Sequence, residues 1–356
     1  MRILFCVSAD VDNVNAQGLN AREIALRLDP QCFVSTFFVW RQPDPRLLGR
    51  SSIRFIHVPA RFGSVSIAAQ MIWGDHDLIF YPPITKSTEW YLDFRTLGKR
   101  KRMIMPIEGP VAYVKKENPT GYARFRRVLA ASDLVMPLSE FVAAELQHET
   151  GIAPSSIAPV GVDTCFFKPV ARQSHGPVRV LFVGRLIERK GPQLVVQAAK
   201  HFPDVQFQLV GSAYDPSDMA FAESLKSQVR NENCRNVEFL GSLSRTDLRT
   251  VLGKADILLH PSRIDGIPKV TLEAAATGMP CVVFDDYHTP SVVDGVTGYQ
   301  VRTFDEMLER LKLLIENRAL RLEMGEAAVE HARQFDWDIV VRQWQDVFEE
   351  VALAHS

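Results

Sequence analysis

Short apolar runs recur along this chain, each followed by a polar turn and then by a segment with helical spacing. Met1–Ser8 (MRILFCVS) is the first. Polar residues Ala9–Gln17 follow it, then Gly18 and a helical pattern that places Ile24, Ala25 and Leu28 on one face. Further strands are predicted at Cys32–Trp40, Ile53–Val58, Asp77–Tyr81, Arg102–Pro106 and Asp133–Pro137. The order strand, glycine turn, helix predicts a parallel α/β sheet.

Around residues 160–178 (VGVDTCFFKPVARQSHGPV) the periodicity stops and turn formers accumulate, which marks an interdomain linker. The alternation then restarts, with strands at Val178–Val183, Val205–Val210, Val237–Leu240, Ile257–His260 and Cys281–Phe284. Helices are predicted at about 191–201, 216–230, 244–253 and 268–277. Two closing helices, about 304–316 and 319–333, lead to Phe335-Asp336-Trp337 and a last amphipathic helix. The expected domains are therefore 1–168 and 169–335, with 336–356 as a terminal helix. Regular βα alternation implies doubly wound, Rossmann-like sheets whose ligands sit beyond the carboxyl ends of the strands. Two such sheets facing each other make a cleft.

A chain of 356 residues exceeds the size at which a single core stops growing, which agrees with two domains. The formal charge of −1 argues against general nucleic-acid binding. It hides an asymmetry: 20 Lys+Arg against 16 Asp+Glu over 1–168, and 21 against 26 over the remainder. Ten basic residues fall within Arg95–Arg127, against Glu108 and Glu117. That stretch fits an anionic acceptor, a lipid surface touched peripherally, or a plainly solvated face. The five cysteines form no close pair, so no metal knuckle or disulfide framework is expected and a reducing cytoplasm fits. Met1–Ser8 is too short for a signal segment, and no other run reaches membrane-spanning length. The expected location is cytoplasmic, with any contact at the inner membrane face peripheral.

Two segments carry the chemistry. In Val180–Gly191 (VLFVGRLIERKG) an apolar run ends at Gly184 and delivers Arg185 and Lys190 to a loop. In Ile257–Thr277 (ILLHPSRIDGIPKVTLEAAAT) seven residues separate Asp265 from Glu273, and a carboxylate inside the helix VTLEAAAT is costly to bury unless something polar meets it. Gly266-Ile267-Pro268 predicts an anion site, with Pro268 in the first helical position and the amides of Lys269 and Val270 pointing out of the helix end. Gly18 offers a weaker version of the same arrangement in the first domain. Gly211-Ser212-Ala213 follows a buried strand and is placed to line a base or ribose pocket. His260 reads as a packed strand-end residue. Arg263 and His288 are near the site in sequence only. Asp10-Val11-Asp12 looks like a metal-binding pair, but a polar loop after a strand explains it, and no essential metal is expected.

Together these segments resemble the nucleotide-sugar half of the retaining glycosyltransferases of family four, which share the two-Rossmann GT-B fold. The resemblance is close from about Val178 to Gly298, including VEFLGSLSRTDL, ADILLHPS and VVDGVTGY. It extends weakly to the connector GVD and to Phe335-Asp336-Trp337. It implies that Arg185 and Lys190 hold the donor diphosphate, that Asp265 contacts donor-sugar hydroxyls, and that Glu273 binds the ribose diol. It also implies that the terminal helix crosses back to the first domain, which binds acceptor.

The chain departs from the family at two places. Asp265 stands where Glu is commoner, one methylene shorter. In Met103–Pro110 (MIMPIEGP) Glu108 occupies what looks like the position of a usual His, and three roles stay open for it: donor-sugar contact, acceptor orientation or a turn cap. The resulting expectation is a retaining glycosyltransferase that moves a hexose-type unit from a nucleoside-diphosphate sugar to a hydroxyl on a glycan, lipid-linked or small-molecule acceptor. A nucleotide-sugar epimerase of the same fold and a noncatalytic nucleotide-sugar binding protein are the alternatives.

Overall fold

The structure, a computed structural model, describes residues 1–11, 15–117, 119–170 and 176–353. It divides into two compact units, Met1–Gly161 with Trp337–Ser356, and Val162–Asp336. The division falls at Gly161/Val162, seven residues before the boundary read from composition.

The first unit runs β1 (Arg2–Ser8), α1 (Ala16–Arg27), β2 (Val34–Val39), β3 (Ile53–His57), α2 (Gly63–Trp73), β4 (Leu78–Phe80) and α3 (Lys86–Phe94). It continues with β5 (Arg102–Ile107), α4 (Val111–Glu117), α5 (Pro119–Ala131), β6 (Leu134–Pro137) and α6 (Glu140–Thr150). The second unit runs β7 (Arg179–Val183), α7 (Pro192–His201), β8 (Gln206–Val210), α8 (Pro216–Asn231), β9 (Val237–Gly241) and α9 (Arg245–Lys254). After these come β10 (Ile257–His260), α10 (Lys269–Ala276), β11 (Cys281–Phe284), β12 (Gly298–Val301), α11 (Phe304–Glu316) and α12 (Arg318–Arg333). The last helix, α13 (Trp337–Leu353), belongs to the first unit.

Each unit holds one six-stranded sheet, ordered β3-β2-β1-β4-β5-β6 and β12-β11-β10-β7-β8-β9, with every strand pair parallel. The strand sequence is the same in both when counted from each unit's first strand. Strand order reverses between β1 and β4, and between β7 and β10. Those reversals are where open α/β sheets leave room for ligand beyond the strand ends. β7 and β10 are also the strands whose following loops carry Lys190 and Asp265.

Two differences from the sequence reading have physical causes. β12 was not foreseen: four residues after a turn-rich stretch give no periodicity to read, and only pairing with β11 defines them. Helix α1 starts at Ala16, so Gly18 is inside the helix and is no turn residue. Its N–H is taken by the Asn15 side chain at 2.7 Å, a conventional N-cap, which corrects the expected approach of the Gly18 backbone to a phosphate.

The first unit is built on an apolar sheet. Phe80 of β4 meets Trp344 and Phe348 of α13 edge-on, with centroids 5.1 and 5.4 Å apart, and Trp344 Nε1 donates to the Pro159 carbonyl at 3.0 Å. This unit also buries charge. Asp10 accepts from Ser8 Oγ at 2.7 Å and from the amides of Trp40 and Arg41 at 3.1 and 2.9 Å. Burial would raise its carboxyl, but these donors and the Arg41 charge hold it below the ordinary value. Asp10 therefore ties β1 to the turn after β2, in keeping with the structural reading of Asp10-Val11-Asp12. Asp12 lies outside the described residues.

The basic stretch is largely neutralised within its own unit. Lys99 pairs with Asp77, Arg100 and Arg102 with Asp133, Lys115 with Glu149, Arg124 with Glu89 and Arg127 with Asp93. Lys101 is buried, its ammonium donating to the Ile72 carbonyl at the end of α2 at 2.8 Å. Among the described residues no helix is long and apolar enough to cross a membrane, and no group of three or more His, Cys, Asp or Glu is arranged to hold a metal ion.

Candidate active site

The second unit brings its chemistry together at the carboxyl ends of β7 and β10. After β7 the chain makes a 3₁₀ turn at Glu188–Lys190, and Gly191 then starts α7 with φ 76. A side chain on Gly191 would be strained by that φ and would collide with the Pro261 carbonyl. The loop after β7 can therefore lie directly on the loop after β10. Arg189 donates to the Ile264 carbonyl at 3.3 Å, and Ser262 Oγ donates to the same carbonyl at 3.2 Å. This lacing places Lys190 Nζ 2.5 Å from Asp265 Oδ2.

The pair is mostly buried, with side-chain exposures of 15% and 16%. Burial pushes Lys190 below its ordinary value, Asp265 pulling the other way. Burial alone would raise Asp265, but the Lys190 charge and the His260 hydrogen bond hold its carboxyl far below the usual range. The site therefore holds an ammonium and a carboxylate whose charges depend on each other.

His260 is the residue that sequence reasoning undervalued. It is packed as expected, 1% exposed and stacked on Phe182. Its Nε2 also faces Asp265 Oδ2 at 3.2 Å. Tyr287, fully buried beyond β11, is a second residue near Asp265. Its hydroxyl lacks a hydrogen-bond partner, and burial raises it well above the ordinary phenol value. A His closing an apolar strand five residues before an Asp was the available signal for the first; nothing in the spacing signalled the second.

Arg185 is not with this pair. Its guanidinium bonds Asp215 at 3.1 Å and Asp218 at 2.7 Å, at the start of α8. Gly184 and Gly211 form the floor between β7 and β8. Gly211 has φ 135, and a side chain there would collide with the Gly184 carbonyl. Two backbones approach where any larger residue would separate them.

Gly266 and Ile267 are buried, and α10 begins at Lys269. Pro268 is the residue before the helix, with an extended ψ of 116, which corrects its expected place in the first turn. Its fixed φ suits either position, so sequence alone could not choose. Pro268 has no side-chain acceptor, so it does not itself cap the leading amides of α10. Glu273 lies one turn further on, half-buried. Burial raises its carboxyl, with Lys269 and Arg245 acting in the opposite direction. Arg245 is itself held by Asp163 at 3.1 Å and stacked on Phe166. Arg263 pairs with Asp286 at 3.0 Å and lies over Phe284, while His288 pairs with Asp285 at 2.7 Å.

In the first unit Glu108 follows β5 and accepts from Asn20 Nδ2 at 2.9 Å and Tyr81 Oη at 2.8 Å, both on Oε1. Tyr81 directly follows β4 and lies in the left-handed region, φ 57, an uncommon place for an aromatic residue. Sequence reasoning singled out Glu108 and missed both donors.

Residues 166–331 match the family model described as glycosyl transferases group 1. A D-inositol 3-phosphate glycosyltransferase from Corynebacterium aurimucosum is 30% identical over 219 residues, covering 55% of this chain and 52% of that one. The chain thus spans about half the length of that relative. Among solved structures, sucrose-phosphate synthase from Thermosynechococcus elongatus is similar with a TM-score of 0.85 at 19% identity, covering 99% of both chains. Anabaena HepE in complex with UDP-glucose is similar with a TM-score of 0.79 at 17% identity, covering 98% of this chain and 100% of that one. These likenesses establish the fold: two Rossmann-like units of the GT-B class.

Proposed function

We infer that this chain, whose residues 166–331 match the glycosyl transferases group 1 model, transfers a sugar from a nucleoside-diphosphate sugar to a hydroxyl acceptor with retention at the anomeric carbon. The observation that carries the reading is the Lys190–Asp265 pair at the strand-order reversal of the second unit. In such a reaction the bond from the anomeric carbon to the diphosphate oxygen breaks and a bond to the acceptor oxygen forms. The acceptor proton passes to the departing phosphate oxygen. Negative charge grows on the leaving group, and an ammonium with a helix N-terminus nearby suits it.

In this reading Lys190 takes the diphosphate, and Arg185 joins it by leaving Asp215 and Asp218. Asp265 reads the sugar, Glu273 the ribose diol, and the Gly184–Gly211 floor lies under the nucleotide. Glu108, with one oxygen fixed by Asn20 and Tyr81, orients the acceptor. The relatives and neighbours support a nucleotide-sugar donor: HepE is seen with UDP-glucose, and the corynebacterial relative is named for glycosyl transfer to an inositol phosphate. No essential metal is proposed. A peripheral lipid contact through 95–127 has less support than the sequence suggested, because most of those cations have partners within the first unit.

The test is a metal-free binding panel of UDP, GDP, ADP and TDP with their sugar conjugates, followed by turnover of the conjugate that binds. Selective binding, with slow donor hydrolysis in the absence of acceptor, is expected. Formation of an epimer would instead identify an epimerase, and binding with no turnover a noncatalytic protein.

A further inference from the structure

Asp265 has two nitrogen neighbours on one oxygen. Lys190 Nζ lies 2.5 Å and His260 Nε2 3.2 Å from Oδ2. Among the described residues no hydrogen bond reaches Oδ1, and Oδ1 is not sealed from solvent. The two neighbours differ in what can happen to them. Lys190 is a point charge on a flexible stem, and a bound diphosphate competes directly for its ammonium. His260 is fixed by burial and by its stack on Phe182, centroids 6.3 Å apart, and it has nowhere to follow a ligand.

Once Lys190 turns to phosphate, Asp265 without His260 would be a desolvated carboxylate with neither oxygen held. We propose that His260 is a positioning residue: its Nε2–H retains Asp265 Oδ2 after Lys190 has moved to the donor diphosphate, so that Oδ1 is presented to a hydroxyl of the donor sugar. This rests on the nucleotide-sugar reading above. It also accounts for the shorter acid. Asp265 is anchored inward through Oδ2, and a single oxygen remains for recognition. Burial depresses the ring below the ordinary histidine value and favours the neutral imidazole, and the Asp265 carboxylate, which can only accept, calls for the hydrogen on the Nε2 that faces it.

The experiment compares each bare nucleoside diphosphate with its hexose and N-acetylhexosamine conjugates by calorimetry, on wild type, Asp265→Asn, His260→Leu and His260→Gln. Wild type is expected to bind one conjugate more tightly than its parent nucleotide. His260→Leu should lose that advantage by roughly tenfold to a hundredfold, the range of a hydrogen bond to a charged group, with affinity for the bare nucleotide unchanged. Asp265→Asn should lose the advantage too. His260→Gln, whose amide N–H₂ reaches the place of Nε2–H, should recover most of it.

An advantage that survives His260→Leu overturns the proposal, as does an equal loss for nucleotide and conjugate, which is what a purely structural role produces. Should His260→Leu not fold, the ¹⁵N imidazole spectrum of wild type decides: an Nε2–H tautomer is required, and an Nδ1–H tautomer overturns it. Wild type that binds no nucleotide at all removes the donor reading, and the proposal with it, a result separate from a missing sugar advantage.

Discussion

Lys190 and Asp265 are 75 residues apart in sequence, yet Nζ lies 2.5 Å from Oδ2, because Gly191 lets the loop after β7 lie on Pro261. Each side chain offsets part of the cost of burying the other. Lys190→Ala should therefore act on fold and function at once. Leaving Asp265 buried without its counter-charge is expected to cost about 3–5 kcal/mol of stability, measured by denaturant unfolding. The lost diphosphate donor should lower turnover by about 10²–10³. Lys190→Ala combined with Asp265→Asn should regain much of the stability and none of the turnover. Full turnover in Lys190→Ala would mean that the site lies elsewhere.

Arg185 rests on Asp215 and Asp218, and its side chain is 41% exposed. Exposed pairs of this kind contribute about 0–1 kcal/mol, so a diphosphate can displace them. Asp218→Asn should loosen the resting pair and tighten nucleoside-diphosphate binding by up to roughly fivefold, whereas Arg185→Ala should weaken it. Calorimetry at two salt concentrations checks this. Equal affinity in both variants would confine Arg185 to the surface of α8.

Glu273 has a carboxyl raised by burial, and a raised folded-state value means that its charge at neutral pH opposes folding. Glu273→Gln keeps the shape and removes that charge. The unliganded variant is expected to be as stable as wild type or more so, by about 1 kcal/mol. Nucleotide affinity should nonetheless fall, and the fall should vanish when ribose is replaced by 2′,3′-dideoxyribose. A loss that persists with the dideoxy nucleotide would place Glu273 away from the diol.

The sheets and the loops that carry Lys190 and Asp265 were legible because each rests on local signals: apolar runs of strand length, glycines at forced turns, and a proline beside a helix start. What escaped was set by distant partners. β12 is defined by pairing to β11, the Arg185 guanidinium by two acids at the start of α8, and Glu108 by Asn20 and Tyr81 from elsewhere in its unit. His260 lies between these cases. Its burial followed from strand position, but its bond to Asp265 depends on how the loop after β10 folds back, which no spacing encodes.

His76 supplies a pH dependence remote from the proposed chemistry. It is buried in the first unit, neither ring nitrogen has a hydrogen-bond partner, and it lies near the buried Lys101 ammonium. Burial, with the charges of Lys101 and Arg2 outweighing Asp75 and Asp77, pushes it down from 6.5 to about 4. The unfolded chain then binds the extra proton first, so stability rises with pH across this window. The contribution is fully present above about 6.5 and is lost as pH falls through about 4. Its full size is on the order of 3 kcal/mol. Unfolding midpoints measured from pH 7 to pH 4 should therefore drop in wild type and drop less in His76→Phe. Parallel curves for the two proteins would show that His76 titrates alike in the folded and unfolded chains and that burial beside Lys101 does not depress it.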